Sequence, residues 1–290
     1  MKTLIQNYST ALSSESFSIA NSLLSVQSEA ILWADSSISA FDMFDRSNPD
    51  VFFTHALYLT EDVLKRLSNT DIEVVLNVTS VSPEDMARLD GLLKDFNIKC
   101  PLMFSNQVVG SYEIPENHKF IRVLPAADIF LPAQNVPAYS IPELIIFSRD
   151  NENVKTATDG KEVYHMASFG EGFDIQADVV SLASFYDKYD RVTIADDVSV
   201  CCSQLFFDAT LRSKAMSIEV VEDQRPIFNQ FIDECFGGEE TEKEESVEDF
   251  IKSKIRNSHT CVHRTRQIFN ELGNQDLCEK LEKLSDHLVG

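Results

Sequence analysis

Apolar residues in the first 125 positions fall into short unbroken runs. Between the runs, apolar positions recur every three or four residues. The runs predict strands at Thr3–Gln6, Ala30–Ala34, Asp50–Thr54, Ile72–Val78, Leu102–Ser105 and Phe120–Val123. The periodic stretches predict helices. Glu15–Val26 carries Phe17, Ile19, Ala20, Leu23 and Leu24 at helical spacing, and Ser39–Asp45 is a short helix or turn halted by Pro49. Thr60–Leu67 starts on Thr60 as cap, with Glu61 and Asp62 in its first turn. Ser82–Phe96 opens with Ser82 as cap and Pro83 at the first helical position. Continuous apolar strands alternating with helices predict βαβ units and a parallel sheet covered on both faces. An antiparallel sandwich would alternate apolar and polar residues along each strand, and that pattern is not present.

A second set follows. Residues 125–142 hold Pro125, Pro132, Pro137 and Pro142, four of the nine prolines, and predict a linker. Beyond it, strands are predicted at Leu144–Phe147, Val163–Ala167, Val192–Ala195 and Ser217–Val221, and helices at Ala177–Tyr189, Ser203–Arg212 and Pro226–Cys235. The acidic run Glu239–Asp249 reads as a solvated loop or the first turn of a helix. A helical tail over Phe250–Phe269, Gly273 as a C-cap and a last helix complete the chain. The expected architecture is α/β, with two doubly wound lobes over 1–134 and 135–269, and with 270–290 returning to the first lobe. Ligands of such sheets sit beyond the carboxyl ends of the strands, which predicts a site in a cleft between the lobes.

Composition changes this picture in one respect. At 290 residues, 43% hydrophobic and 25% charged, the chain is long enough for about two domains and is neither disordered, collagen-like nor a disulfide scaffold. Lys+Arg number 25 against 47 Asp+Glu, a net charge of −22. Such a surface repels nucleic acid and anionic lipid unless a local basic patch is built. No apolar run approaches the ~18–20 residues of a membrane helix, and the start MKTLIQNYSTALSSES lacks a signal-peptide core. Cys100, Cys201, Cys202, Cys235, Cys261 and Cys278 show no C-x-x-C pair, so they are expected as reduced, buried thiols of a cytoplasmic protein without a zinc site.

Candidate chemistry clusters after the strands. The loop behind the first strand has no G-x-G-x-x-G, yet Asn7, Ser9, Thr10 and Ser13 could hold a sugar or phosphate. His55 ends an apolar strand, where an imidazole can act as general base, with Asp45 in reserve. A histidine that only satisfies local backbone groups is the alternative. Asn77 and Thr79 form a similar polar edge. In the second half, His165, Ser168, Phe169, Gly170 and Gly172 stand at and after a strand. Ser203, Gln204 and Leu205 open a helix whose free N–H groups suit a diphosphate. Asp208 lies one turn from Gln204 on the same face, placed to accept ribose hydroxyls. Asp196 and Asp197 are adjacent, so no D-x-D metal motif is present.

The stretch from Val192 to Val221 resembles the donor-sugar half of GT-B glycosyltransferases, whose helix reads roughly S-x-x-F-E-A-x-A-x-G. The corresponding residues are Ser203-Gln204-Leu205-Phe206-Phe207-Asp208-Ala209, with Asp208 in place of the family's Glu and Ser213-Lys214-Ala215 where a glycine turn is usual. Ser258 to Ile268 is similar to the H-T-x-x-H-R-x-x-x-I tail helix of spore-maturation-type glycosyltransferases. It would place His259, His263 and Arg266 on one helical face in a structural role. Short lobes with few embellishments also look like small tailed-phage glycosyltransferases, some of which decorate hydroxymethylated pyrimidines in DNA. The resemblance implies two Rossmann-like lobes and metal-free transfer from a nucleotide sugar such as a UDP-sugar to an acceptor hydroxyl. A phage DNA acceptor would need Arg46, Lys65, Arg66, Arg88 and Lys94 on one rim. A neutral small molecule, a protein or a surface glycan is equally compatible with the charge. A non-catalytic nucleotide- or partner-binding protein on the same fold and an epimerase are the competing readings.

Overall fold

In a computed structural model of the chain, the described residues are 1–7, 14–35, 37–68, 70–99, 101–106, 118–130, 142–147, 152–159, 165–168, 175–176, 186–237 and 247–289. The chain divides into two compact units, residues 1–124 with 261–290, and residues 125–260.

The first unit is a six-stranded, wholly parallel sheet. Its strands are β1 (Lys2–Gln6), β2 (Glu29–Trp33), β3 (Val51–His55), β4 (Glu73–Asn77), β5 (Leu102–Ser105) and β6 (Lys119–Arg122), in the order β2-β1-β3-β4-β5-β6. Each falls within a residue or two of its predicted run. The intervening helices are α1 (Ser14–Ser25), α2 (Ala40–Ser47), α3 (Glu61–Leu67) and α4 (Pro83–Asp95). Three of them start from hydroxyl caps, Thr60 and Ser82 as predicted: Ser39 accepts from Asp42 N, Thr60 from Val63 N and Ser82 from Asp85 N. Each cap satisfies an N–H that the helix leaves unpaired.

Alternation sorts the strand side chains between two faces. Leu4, Phe52, Val74, Leu76 and Met103 share a core with Met43, Phe44, Val63, Leu64, Met86 and Leu89 of α2, α3 and α4. Ile5, Phe53, Val75 and Phe104, all buried, alternate with them on the other face, and α1 packs there with two C-terminal helices, α10 (Cys261–Glu271) and α11 (Gln275–Val289). Gly273 joins these two helices at φ 76°, a conformation that costs glycine little. The chain runs from β1 outward to β2 and then crosses to β3. The sheet's topological switch point therefore lies between β1 and β3, at their carboxyl ends.

The second unit is a five-stranded parallel sheet in the order β11-β10-β7-β8-β9. Its strands are β7 (Glu143–Phe147), β8 (His165–Ser168), β9 (Ile175–Gln176), β10 (Arg191–Ala195) and β11 (Met216–Glu219). Here the switch point lies between β7 and β10. The helices are α5 (Glu152–Thr158), α6 (Val198–Cys201), α7 (Gln204–Arg212), α8 (Arg225–Phe236) and α9 (Val247–Ser258), with one 3-10 turn at Tyr186–Lys188. Of the helix predicted over Ala177–Tyr189, residues 177–185 lie outside the described residues. Helix α7 is buried along most of its length, and its Phe206 and Phe207 meet Phe231 with ring centroids 5.5 and 5.8 Å apart.

The predicted continuous tail over Phe250–Phe269 is corrected to two helices. Helix α9 ends at Ser258 and α10 starts at Cys261. Between them Thr260 bridges to Ala127, and His259 O accepts from Ala127 N at 2.9 Å. That pairing takes both residues out of the helical path. His259 stacks on Phe207 at 5.5 Å and its Nε2 lies 2.9 Å from Cys235 O in the second unit. His263 Nε2 lies 2.8 Å from Ser285 Oγ in the first. The two histidines thus do not share a helical face. Within the Pro-rich stretch, Pro125–Phe130 is bonded into the second unit through Ala127 and Asp128.

Candidate functional site

Two strand ends of the first unit converge on one carboxylate. Glu15, in the first turn of α1, accepts from Asn77 Nδ2 at 2.5 Å on one oxygen and from Asn106 Nδ2 at 3.3 Å on the other. Asn77 closes β4 and Asn106 follows β5. Asn77 Oδ1 accepts from Thr79 N at 2.8 Å, and Thr79 Oγ1 accepts from Asn106 N at 3.0 Å. Beside them, Thr54 Oγ1 donates to Gln6 Oε1 at 2.7 Å, linking the ends of β3 and β1. The expected acceptor-side residues Asn77 and Thr79 are therefore brought together. Asn7 continues β1 with its N–H on Trp33 O at 2.9 Å. Ser9, Thr10 and Ser13 lie outside the described residues.

His55 is part of the same network. Its Nδ1 accepts from Leu57 N at 3.2 Å, so its Nε2 carries the hydrogen and donates to Thr79 O at 2.9 Å. Both ring nitrogens are committed to backbone groups, and the ring is 8% exposed. Burial lowers its pKa below the ordinary histidine value, and the bond to Thr79 raises it by less. In this arrangement it staples the β3 end to the turn after β4. Tyr58 packs edge-on against it, with ring centroids 6.2 Å apart.

Asp45 sits near the end of α2 and pairs with Arg66 in the last turn of α3. Helices that follow parallel strands run back against them, so their last turns lie at the amino end of the sheet, away from His55. The same geometry segregates charge. Glu15, Asp42, Glu61, Asp62, Glu84 and Asp85 occupy first turns, at the carboxyl edge. Arg46, Lys65, Arg66 and Lys94 occupy last turns, and Lys65 and Lys94 pair with Glu61 and Asp90. The basic rim required by a DNA acceptor is thus not assembled at that edge by the described residues of α1 to α4. Two cavities of about 370 and 470 Å³ share Thr70, Asp71, Ile72 and Glu73, and so open at the amino end of β4.

In the second unit, Ser203 caps its own helix. Its Oγ accepts from Leu205 N at 3.3 Å and donates to Val200 O at 2.6 Å, and its carbonyl accepts from Phe206 N at 3.1 Å. Gln204 and Asp208 do share a face, and Gln204 Nε2 donates to Asp208 Oδ2 at 3.1 Å. Asp208, however, is 0% exposed, and its other oxygen accepts from Asp128 N at 2.7 Å. Arg212 Nη2 donates to Asp128 O at 2.6 Å. Burial pushes the Asp208 carboxyl up to about 8; the Asp128 carboxylate adds to the rise, and the Asp128 N–H, Arg212 and Gln204 offset part of it. Beneath lies Tyr186, fully buried, its hydroxyl without a hydrogen-bond partner among the described residues. Asp208 therefore acts from inside the unit, on Gln204 and Asp128. Leu205 is buried and offers only backbone. His165 and Ser168 are the first and last residues of β8, and Gly170 lies outside the described residues.

Glu15, Asn106, Asp128 and Tyr186 were not picked out from sequence. An acid in a first turn is what the helix dipole favours anywhere, so Glu15 carries no distinguishing local signal. Asn106, directly after a predicted strand, followed the same pattern as Asn77 and was findable. Among the described residues no three His, Cys, Asp or Glu side chains gather as metal ligands, and no described helix is long and apolar enough to cross a membrane.

No protein-family model matches the chain, and no curated protein matches it in sequence. Among solved structures the chain is similar to three glycosyltransferases across nearly its whole length. Against the spinosyn rhamnosyltransferase SpnG the TM-score is 0.42 at 12% identity, covering 100% of this chain and 96% of that one. SpnG complexed with thymidine diphosphate gives a TM-score of 0.41, at 12% identity over 99% and 96% of the two chains. SsfS6, a glycosyltransferase of Streptomyces sp. SF2575, gives 0.41 at 11% identity over 98% and 96%. SnogD from Streptomyces nogalater gives 0.47 at 9% identity over 94% and 99%.

Proposed function

We propose that this protein is a glycosyltransferase that moves a sugar from a nucleotide-diphosphate donor, a UDP-sugar in the first instance, to an acceptor hydroxyl. The observation that carries the reading is the polar edge at the carboxyl ends of β4 and β5. A half-buried carboxylate, two carboxamides and a threonine stand where a doubly wound sheet presents its ligand. Carboxylate and amide groups together suit a hydroxyl-rich substrate, since they supply both acceptors and donors.

The donor falls to the second unit, at the switch point between β7 and β10. Ser203 and Gln204 are its contact residues, with the Leu205 N–H as phosphate donor. A phosphate oxygen there replaces the Ser203 hydroxyl as acceptor of an N–H already aimed along the helix axis, with the dipole favouring the negative charge. His165, Ser168 and Gly170, at and after β8, are the remaining donor-side candidates, and Asp208 fixes Gln204 from beneath. The fixed helix dipole is the group that stabilises the departing diphosphate. Asn7, Ser9, Thr10, Ser13, Asn77 and Thr79 belong to the acceptor side. The acidic first turns around them favour an uncharged acceptor over a polyanion such as DNA.

Thermal-shift titration with UDP, UDP-sugars and dTDP-sugars tests the reading. A ligand at 100 times its dissociation constant adds about 2.7 kcal/mol of stability. Slow release of free nucleotide from the stabilising sugar donor, with water as acceptor, is expected. Nucleotide binding without release would instead support the non-catalytic reading, and the absence of any shift would remove both.

A further inference from the structure

We propose that Glu15 is the proton acceptor for the incoming hydroxyl, an assignment that rests on the sugar-transfer reading above. The case is geometric. Glu15 stands at the start of α1, and its carboxylate lies at the carboxyl ends of β4 and β5. An acid in a first turn ordinarily serves its own helix end. Glu15 instead reaches across the sheet to Asn77 and Asn106, 62 and 91 residues further along the chain. Those two amides are themselves positioned. Thr79 N holds Asn77 Oδ1, Thr79 Oγ1 holds Asn106 N, and His55 Nε2 holds Thr79 O. The ends of β3, β4 and β5 are thus committed to aiming one carboxylate.

Asn77 and Asn106 are neutral amides that orient the carboxylate through hydrogen bonds. The two acid–base candidates expected from sequence are placed differently. His55 has both ring nitrogens on backbone groups, and Asp45 lies at the opposite end of the sheet.

The step balances as follows. The acceptor oxygen forms its bond to the anomeric carbon of the donor while its proton passes to a Glu15 carboxylate oxygen. The bond from that carbon to the phosphate oxygen breaks, and the nucleoside diphosphate leaves with the electron pair. The sugar inverts its configuration, and Glu15 returns its proton to solvent. Asn77 and Asn106 are positioning residues, and His55 acts through them.

The test uses the full chain with UDP-glucose, UDP-galactose and dTDP-glucose. It follows nucleotide release with water as acceptor, the donor-induced thermal shift, and the pH profile of release. The variant Glu15→Gln is expected to keep the donor-induced shift while release falls by about 10²-fold or more, with the acid limb of the pH profile lost. Release at the wild-type rate with an unchanged acid limb would overturn the assignment while leaving sugar transfer standing. If the wild-type chain neither shifts nor releases with any of the three, the sugar-transfer reading itself fails. Glu15→Asp provides the second variant should Glu15→Gln not fold. It retains the carboxylate but withdraws it from Asn77, so the acid limb persists while release drops, and an undiminished rate counts against Glu15.

Discussion

Asp208 accepts the backbone N–H of Asp128 at 2.7 Å across 80 residues of chain, and neither oxygen of its carboxyl group reaches solvent. The contact ties the start of the second unit to the helix proposed to face the donor. It also makes the unit's stability depend on pH. The groups facing Asp208 are the Asp128 carboxylate, the Arg212 guanidinium, the Tyr186 phenol and the Gln204 amide.

The folded carboxyl titrates at about 8, against roughly 3.9 for an unfolded aspartate. The folded state therefore holds a proton that the unfolded state releases. Its stabilising effect is complete below pH ~4 and is lost as pH rises through about 8. The loss is on the order of 5 kcal/mol at one pH unit per 1.36 kcal/mol. Asp208→Asn keeps an oxygen for Asp128 N and cannot ionise. It is expected to lose the Asp208-linked fall in melting temperature as pH rises from 5 towards 8.5, and to melt above the wild type at pH 8.5. Melting curves across that range check this, and parallel curves for the two proteins would contradict it.

The same helix carries part of an aromatic cluster in the second unit. Phe231 is 0% exposed and meets both Phe206 and Phe207. Phe231→Ala leaves a cavity among rings carried on two packed helices, so collapse around it is limited. A loss of about 3–5 kcal/mol is expected, with Phe231→Leu costing less than half as much. Urea unfolding followed by far-UV dichroism measures both. A loss below about 1 kcal/mol for the alanine variant would mean the cluster is looser than its ring distances indicate.

The strands were legible because a parallel sheet is buried on both faces. Val51–His55 is buried at every position and reads as an unbroken apolar run. Caps at Thr60 and Ser82 were legible because their rule is local. The two-residue β9 and the four-residue α6 are too short to show any period. The break at His259 and Thr260 was hidden for a different reason. Helical spacing continues through Ile255, Val262 and Ile268, and only the pairing with distant Ala127 interrupts it. The polar edge was half legible. Asn77 and His55 end predicted strands, but the partners that decide what each does come from Thr79, Leu57 and Glu15. Glu15 could be recognised only once the ends of β4 and β5 were placed beside α1.

His55 separates a structural histidine from a catalytic one by two independent readouts. Its pKa lies below the ordinary value because burial penalises the imidazolium, with the Thr79 carbonyl opposing. The unfolded chain therefore takes up a proton at a pH where the folded chain does not. The stability contribution is present above about pH 6.5 and declines as pH falls towards the lower folded value. This is opposite in sign to Asp208. Nitrogen-15 spectra should show the neutral ring protonated on Nε2, since Leu57 N occupies Nδ1. The variant His55→Ala removes the bond to Thr79 O, so Thr79, Asn77 and through them Glu15 lose their reference point. Release of nucleotide is then expected to fall by about tenfold, a smaller loss than removing a general base. The acid limb of the pH profile should survive, because the group that titrates in it is still present. Disappearance of that limb in His55→Ala, together with an ordinary histidine pKa in the wild type, would return His55 to the role of base and leave Glu15 as its support.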